Sequence, residues 1–232
     1  MGNPEDFRLC DRTLDGTTNV TFSRRNFLQA ASGLALTIGV WGVPSLAWAA
    51  DTVDIEELLK PGPLGDKTLG SEDAPVTIVE YASMTCGHCA NFDEVTFPEL
   101  KSRYIDTGKV RFIFREYPLN NPAYAMSMLA RCMPADKYFD GVEIMFEQLR
   151  SGALSGSFLP ALTKLSKQIG FTQESFEQCL TNQKLMDALK EERDRATTKF
   201  GVEATPTFFI NGEKHSGALS IEEMGKIIDE KM

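Results

Sequence analysis

Thr85-Cys86-Gly87-His88-Cys89-Ala90 sets two thiols two residues apart, with a histidine in the gap. The spacing suits metal ligation, a structural staple or a working redox pair. A c-type haem attachment needs His directly after the second Cys, and position 90 is Ala. A structural zinc needs four ligands. The chain has only two histidines, His88 and His215, and its other cysteines past this point, Cys132 and Cys179, fall in separate helical segments. A disulfide that closes two intervening residues removes little loop entropy and makes a poor staple. Thiol–disulfide exchange is therefore the favoured chemistry; it needs no cofactor and no metal. From a different class, a carrier could use the same residues for Cu(I) or zinc.

Exchange gives each residue a task. Cys86 follows the end of an apolar, β-branched run and opens a helical pattern, where backbone N–H groups and the helix dipole stabilise a thiolate. Cys86 is then the exposed, low-pKa nucleophile, and Cys89, one turn in and more buried, is the resolving partner. His88 adds positive charge when protonated or a donor when neutral. Stabilising the thiolate stabilises the reduced form, so the disulfide is readily handed on. A thiol depressed by about three pKa units stores roughly 4 kcal/mol where the thiolate dominates, equivalent to close to 90 mV at about 30 mV per 1.4 kcal/mol.

Two further positions fit. Glu80 interrupts the apolar strand and shares a face with Val76, Ile78 and Ala82 by the two-residue period. If that strand is central, Glu80 lies beneath the cysteines with a raised pKa, placed to exchange a proton with Cys89 through water; on an edge strand it would be a solvated acid. Thr205-Pro206 precedes the strand Thr207 to Ile210. A trans bond makes it an ordinary turn; a cis bond would turn the Thr205 backbone toward the cysteines, free to pair with an extended peptide.

The elements that must hold these groups follow from the pattern. A short helix, 54–59, leads into an extended arm with Pro61, Pro63, Gly65 and Gly70. Strands are expected over 76–82 and 110–117, pairing in parallel, with a helix from Cys86 to Tyr104 between them and a kink at Pro98. Residues 120–200 read as successive helices broken near Pro134, Ser151-Gly152, Gly170 and Asn182. Their Met and aromatic residues, Tyr124, Met126, Met128, Met133, Tyr138, Phe139, Met145 and Phe146, fall mostly at core spacing. Asn211-Gly212 marks a hairpin, and Ser220-Ile221-Glu222-Glu223 is a capping box that opens the last helix. The order is β-α-β, helical block, β-β-α. This is an α/β chain, and an early CxxC at a strand-to-helix turn in that context is a thioredoxin-like signature.

The N-terminus sets the compartment. Ser23-Arg24-Arg25-Asn26-Phe27-Leu28 precedes an uncharged run that ends at Ala47-Trp48-Ala49. It looks like a twin-arginine export signal cleaved after Ala49, with a membrane anchor as the plainer alternative. Export places the protein in the periplasm. The removed segment carries four basic and four acidic residues, so the net charge of −9 is kept. Such an acidic chain with no basic tract is a poor binder of nucleic acid. Four cysteines remain, and an even number outside the cytoplasm suggests disulfides. Cys132 and Cys179 either form a structural bridge, stabilising by about 4 kcal/mol through chain entropy, or pack as buried free thiols.

"SMTCGHCANF" (83–92) and "FGVEATPTFFING" (200–212) resemble the DsbA family of thioredoxin-fold oxidoreductases, over the chain from about Gly65 to its end. The resemblance implies a thioredoxin-like fold with an inserted helical domain: residues 50–119 and 201–232 for the first, 120–200 for the second, and 1–49 for the signal. It implies that Cys86 attacks and carries the mixed disulfide, that His88 tunes it, and that Glu80 and Pro206 are the family's buried acid and cis-proline, with Thr205 meeting substrate. The implied partners are reduced or unfolded exported proteins and a membrane quinone-linked reoxidase, with the protein as a monomer. Oxidase-type members often have Pro after the first cysteine and Val before the cis-proline; this chain has Gly87 and Thr205. Threonine is common there in isomerase-type relatives, which keeps a disulfide isomerase or reductase as the alternative.

Overall fold

Val76-Thr77-Ile78-Val79-Glu80-Tyr81-Ala82 is rich in β-branched side chains and free of Gly and Pro, and it forms strand β2 (Val76–Ala82). The structure is a computed structural model and describes residues 52–232. The export signal and its cleavage site lie outside the described residues. β2 is the central strand of a sheet completed by β1 (Lys67–Leu69), β3 (Val110–Glu116), β4 (Thr207–Ile210) and β5 (Glu213–Ser216), in the order β1-β3-β2-β4-β5. β2 pairs in parallel with β3 and antiparallel with β4. The expected extended arm contains β1, which pairs antiparallel with the far edge of β3. Three residues are too few to show an alternating pattern in sequence.

Burial on both faces explains why β2 and β3 read as near-continuous apolar runs. One face carries Ile78, Phe112, Phe114, Phe208 and Ile210 into the larger core. The other carries Val79, Tyr81, Ile113 and Phe209 against Leu58 of α1 (Ile55–Leu59) and Ala196 and Phe200 of α8 (Gln183–Phe200). α8 is capped by Asn182 and stopped by Gly201 at φ 62, a backbone conformation that costs glycine no Cβ clash. The β4–β5 turn uses positive φ at both Asn211 and Gly212, as the pair suggested. Asn211 also accepts the Thr77 N–H at 2.7 Å, tying the hairpin to β2.

The helical segment after Cys86 differs from the simple kink expected at Pro98. It runs as α2 (Gly87–Asn91), a π turn (Phe92–Thr96), α3 (Phe97–Leu100) and a second π turn (Lys101–Ile105). Pro98 has no N–H to donate, and it stands in the first turn of α3 just past the widened stretch, where the Phe97 N–H reaches back to the Phe92 carbonyl.

The helical block comprises α4 (Asn121–Cys132), α5 (Tyr138–Arg150), α6 (Phe158–Gln168), α7 (Gln173–Leu180) and α8, with no strand among the described residues from 121 to 200. The architecture is a thioredoxin fold with an inserted helical domain. A buried polar cluster joins the block to the sheet. Glu116, at the end of β3, receives Arg131 of α4 at 2.5 and 2.6 Å and the Tyr138 hydroxyl at 2.6 Å. Arg131 also donates to the Leu64 carbonyl at 2.9 Å. Each charge is matched by an opposite charge and further hydrogen bonds, the condition under which a buried ion pair is tolerated. No helix among the described residues is long and apolar enough to cross a membrane.

Candidate active site

The site lies where β2 ends and α2 begins. Cys86 is the N-cap of α2, in extended conformation at φ −92 and ψ 119, so its side chain points out of the first turn. Its carbonyl accepts the first helical bond, from the Ala90 N–H at 3.0 Å. The Thr205–Pro206 peptide bond is cis, and the Thr205 carbonyl oxygen lies 3.2 Å from Cys86 Sγ. The end of β2 and the turn before β4, remote in sequence, are thus brought to one sulfur by the β2–β4 pairing. Both cysteines are free thiols, so this is the reduced form of the pair.

The two thiols have opposite electrostatics. Cys86 is held down to about 5, first by the hydrogen bond from the Cys89 thiol, then by Thr205 and the backbone N–H groups of Cys89 and His88, which together outweigh partial burial. The Thr205 hydroxyl is buried with no other protein partner, which leaves it available to the thiolate. Cys89 is wholly buried, and burial pushes its thiol far above the ordinary range, reinforced by its role as donor to Cys86 and by the nearby charges of Glu80 and Cys86. The order of exposure matches the assigned tasks, but Cys86 is 9% exposed, not an open thiol. The Thr205 carbonyl stands against it. His88 is exposed, and it meets the sulfur through its backbone N–H.

Glu80 is 2% exposed, between Phe114 and Phe208 on its flanking strands. Its Oε1 has no hydrogen-bond partner. Burial raises its pKa well above the carboxylate range, with Asp93 and Cys86 adding to the effect. The structure therefore brings Glu80, Cys86, Cys89, Thr205 and Pro206 together and leaves the His88 ring at the surface. Cys132 and Cys179 lie elsewhere, bonded to each other across α4 and α7 with Cα atoms 6.1 Å apart.

Sequence reading missed two supports. Arg150, the last residue of α5, donates to the Ala90 carbonyl at 2.9 Å and pairs with Asp93 at 3.4 Å and Glu94 at 3.3 Å, fastening the active-site helix to the block. Burial pushes Asp93 up to about 6 against that pairing. Asn120 caps α4 through the Ala123 N–H and donates to Thr85 Oγ1 at 3.1 Å, bracing the residue before Cys86. A lone Arg at a helix end carries no signal of such a role; the Asn-Asn-Pro start of α4 signals a cap but not the second contact.

Comparison with known proteins identifies the family and the fold. The thioredoxin family model matches residues 64–230. The crystal structure of Wolbachia pipientis α-DsbA1 is similar with TM-score 0.69 and 33% identity, covering 78% of this chain and 95% of that one. The chain belongs to the DsbA family of thiol:disulfide oxidoreductases. A Rickettsia conorii protein named as a protein-disulfide oxidoreductase is 34% identical over 173 residues, which are 72% of this chain and 60% of that protein. The chain thus spans less than two thirds of that relative's length. BdbD of Bacillus subtilis, in its oxidised form, shares the fold with TM-score 0.64 at 22% identity, covering 74% of this chain and 95% of that one. Within the DsbA fold, the CGHC turn, the Glu80 strand and the Thr205-Pro206 turn occupy one corner of the sheet.

Proposed function

We propose that the protein donates a disulfide from Cys86–Cys89 to reduced, unfolded proteins outside the cytoplasm. A substrate thiolate attacks Cys86 Sγ and a mixed disulfide forms. Cys89 leaves as a thiolate and takes a proton, because burial holds its thiol protonated. Glu80 is the buried acid positioned to supply that proton through water. A second substrate thiolate then attacks the substrate sulfur of the mixed disulfide, and Cys86 departs as a stabilised thiolate. The substrate loses two electrons and the protein gains them; a membrane quinone-linked reoxidase removes them again. The Thr205 carbonyl beside Cys86 suits pairing with an extended substrate backbone. The protein acts as a monomer in the periplasm, exported by the Arg24-Arg25 signal and cleaved after Ala49; N-terminal sequencing of the exported protein tests the cleavage.

The observation that carries this reading is the split between the two thiols, with Cys86 held at about 5 and Cys89 pushed the other way. Leaving-group stability at Cys86 makes the disulfide a strong oxidant. Equilibration of the Cys86–Cys89 pair with glutathione tests it. A potential above about −200 mV is expected, whereas one near thioredoxin's about −270 mV overturns the oxidant assignment. Thr205 ahead of Pro206 favours a second reading, an isomerase or reductase kept reduced by its partner. Isomerisation of a scrambled substrate by the reduced protein, outpacing oxidation of a reduced one, would select it.

A further inference from the structure

Behind Glu80 lies a cavity of about 390 Å³, bounded by the sheet, the α2–α3 segment and α5. That is within the size range of small-ligand pockets, which favour such seams between domains. Its walls are aromatic: Phe92, Phe97, Phe112, Phe114, Phe139 and Phe146. Its floor includes Glu80, whose Oε1 is buried and without a hydrogen-bond partner. Its rim is acidic, with Asp93, Asp136, Asp140 and Glu143. Lys101 is the cation among the lining residues, and its Nζ is held by Asp106 at 2.6 Å. Arg150 and Lys137 partly offset Asp93 and Asp140.

We propose that this cavity is a binding site for a small aromatic cation, an amidinium or ammonium carried on a ring, and that its occupancy favours the reduced protein. Ring faces attract both the ring and the charge of such a ligand. The acidic rim rejects anions. Glu80 Oε1 supplies the acceptor that an amidinium N–H needs, and in turn gains the partner it lacks inside the protein. An aliphatic chain would fill the walls but leave that acceptor unmatched, and a carboxylate would meet like charge at the rim.

The redox coupling follows from position. Glu80 is on β2, the strand that leads into the Cys86–Cys89 turn, and Phe92, three residues past Cys89, lines the same cavity; Glu80 also interacts electrostatically with both sulfurs. A cation beside Glu80 therefore feels the Cys86 thiolate of the reduced protein, and finds a neutral disulfide there in the oxidised one. It binds the reduced form more tightly, and by reciprocity it makes the disulfide more oxidising. This half rests on the thiolate reading of Cys86 given above; the binding half does not.

Benzamidine, titrated into the full chain with benzyl alcohol and benzoate as neutral and anionic counterparts, tests the site by calorimetry and amide chemical shifts. Benzamidine is expected to saturate, with shifts centred on Phe97, Phe112 and Phe139, and benzoate to bind at least about tenfold more weakly. Val142→Phe, which fills the cavity, should abolish binding. Glu143→Gln, at an exposed rim position that leaves the core untouched, should weaken it about threefold. Affinity should be several-fold higher for the reduced than the oxidised protein. Absence of saturation at millimolar benzamidine overturns the site. Benzoate binding as well as benzamidine, or binding indifferent to both substitutions, overturns it equally. Equal affinity in the two redox states overturns the coupling. A low glutathione-derived potential with benzamidine binding intact would sink the oxidant reading and leave the site standing.

Discussion

Among the described residues the chain holds two pairs of cysteines in two settings, and the contrast shows what makes sulfur chemistry run. Cys132 and Cys179 are 47 residues apart, joined between α4 and α7, with Cys179 buried. Cys86 and Cys89 are three apart and lie free at a strand-to-helix turn, one sulfur surrounded by donors and the other sealed in apolar surroundings above Glu80. Long loop closure makes the first pair a staple. Asymmetric solvation makes the second a relay, because one sulfur prefers to be charged and its neighbour prefers to stay neutral.

Exchanging serine for cysteine separates the two pairs most sharply. Cys86→Ser should lower disulfide transfer to a reduced protein by more than about a thousandfold, since serine cannot form the mixed disulfide. The double change Cys132→Ser with Cys179→Ser should leave transfer within a few-fold of normal while costing about 4 kcal/mol of stability by chain entropy, measured by denaturant unfolding. Loss of transfer in the second variant at a temperature where it is folded would erase the distinction.

The relay pair also predicts an inverted stability order. Cys86 ionises at about 5 in the folded reduced protein, against roughly 8.5 unfolded. A depressed pKa stabilises at pH above the unfolded value and loses that contribution as pH falls through the folded one. The reduced protein should therefore exceed the oxidised one in stability by up to about 4 kcal/mol near pH 8, and the gap should close as pH falls toward 5. Paired denaturation curves across that range measure it; an oxidised form that is the more stable at pH 8 would contradict the thiolate.

The buried acids repeat the comparison. Glu116 has Arg131 and Tyr138 as partners, whereas Glu80 has no partner for Oε1. Glu116→Gln should destabilise by about 3–5 kcal/mol, because Arg131 would be left charged and uncompensated. Glu80→Gln should stabilise the protein at neutral pH, measured by denaturant unfolding, since a raised carboxyl pKa costs stability above the unfolded value. The same change should slow reoxidation of the Cys86–Cys89 pair. The smallest effect is expected at His88. Its contact to the sulfur is through the backbone N–H, so His88→Ala should keep the Cys86 pKa below about 7, read from thiolate absorbance.

Much of the site was legible because its residues are locally anomalous. A CxxC after a β-branched strand, an acid inside that strand, Thr-Pro before an aromatic strand and Asn-Gly after it each break or complete a short-range pattern. The same holds for the Ser220 cap, which satisfies its own helix end within three residues. β1 was not legible, because Lys67-Thr68-Leu69 is strand only by pairing with β3. Nor was the Glu116–Arg131–Tyr138 cluster: Tyr138 reads as core by its spacing, but Glu116 and Arg131 look solvent-facing until three elements meet. The grip of Arg150 on α2 and the cavity behind Glu80 have the same origin, since both exist only in the seam between the sheet and the inserted helices.

The sequence by itself determined which atoms are the candidates for exchange, because sulfur spacing and strand-to-helix order are properties of neighbours along the chain. Only the tertiary structure decided how unequal the two sulfurs are. Solvation, the approach of Thr205 and the isolation of Glu80 depend on distances between segments more than a hundred residues apart in sequence, with Cys86 Sγ and the Thr205 carbonyl 119 residues apart and 3.2 Å in space.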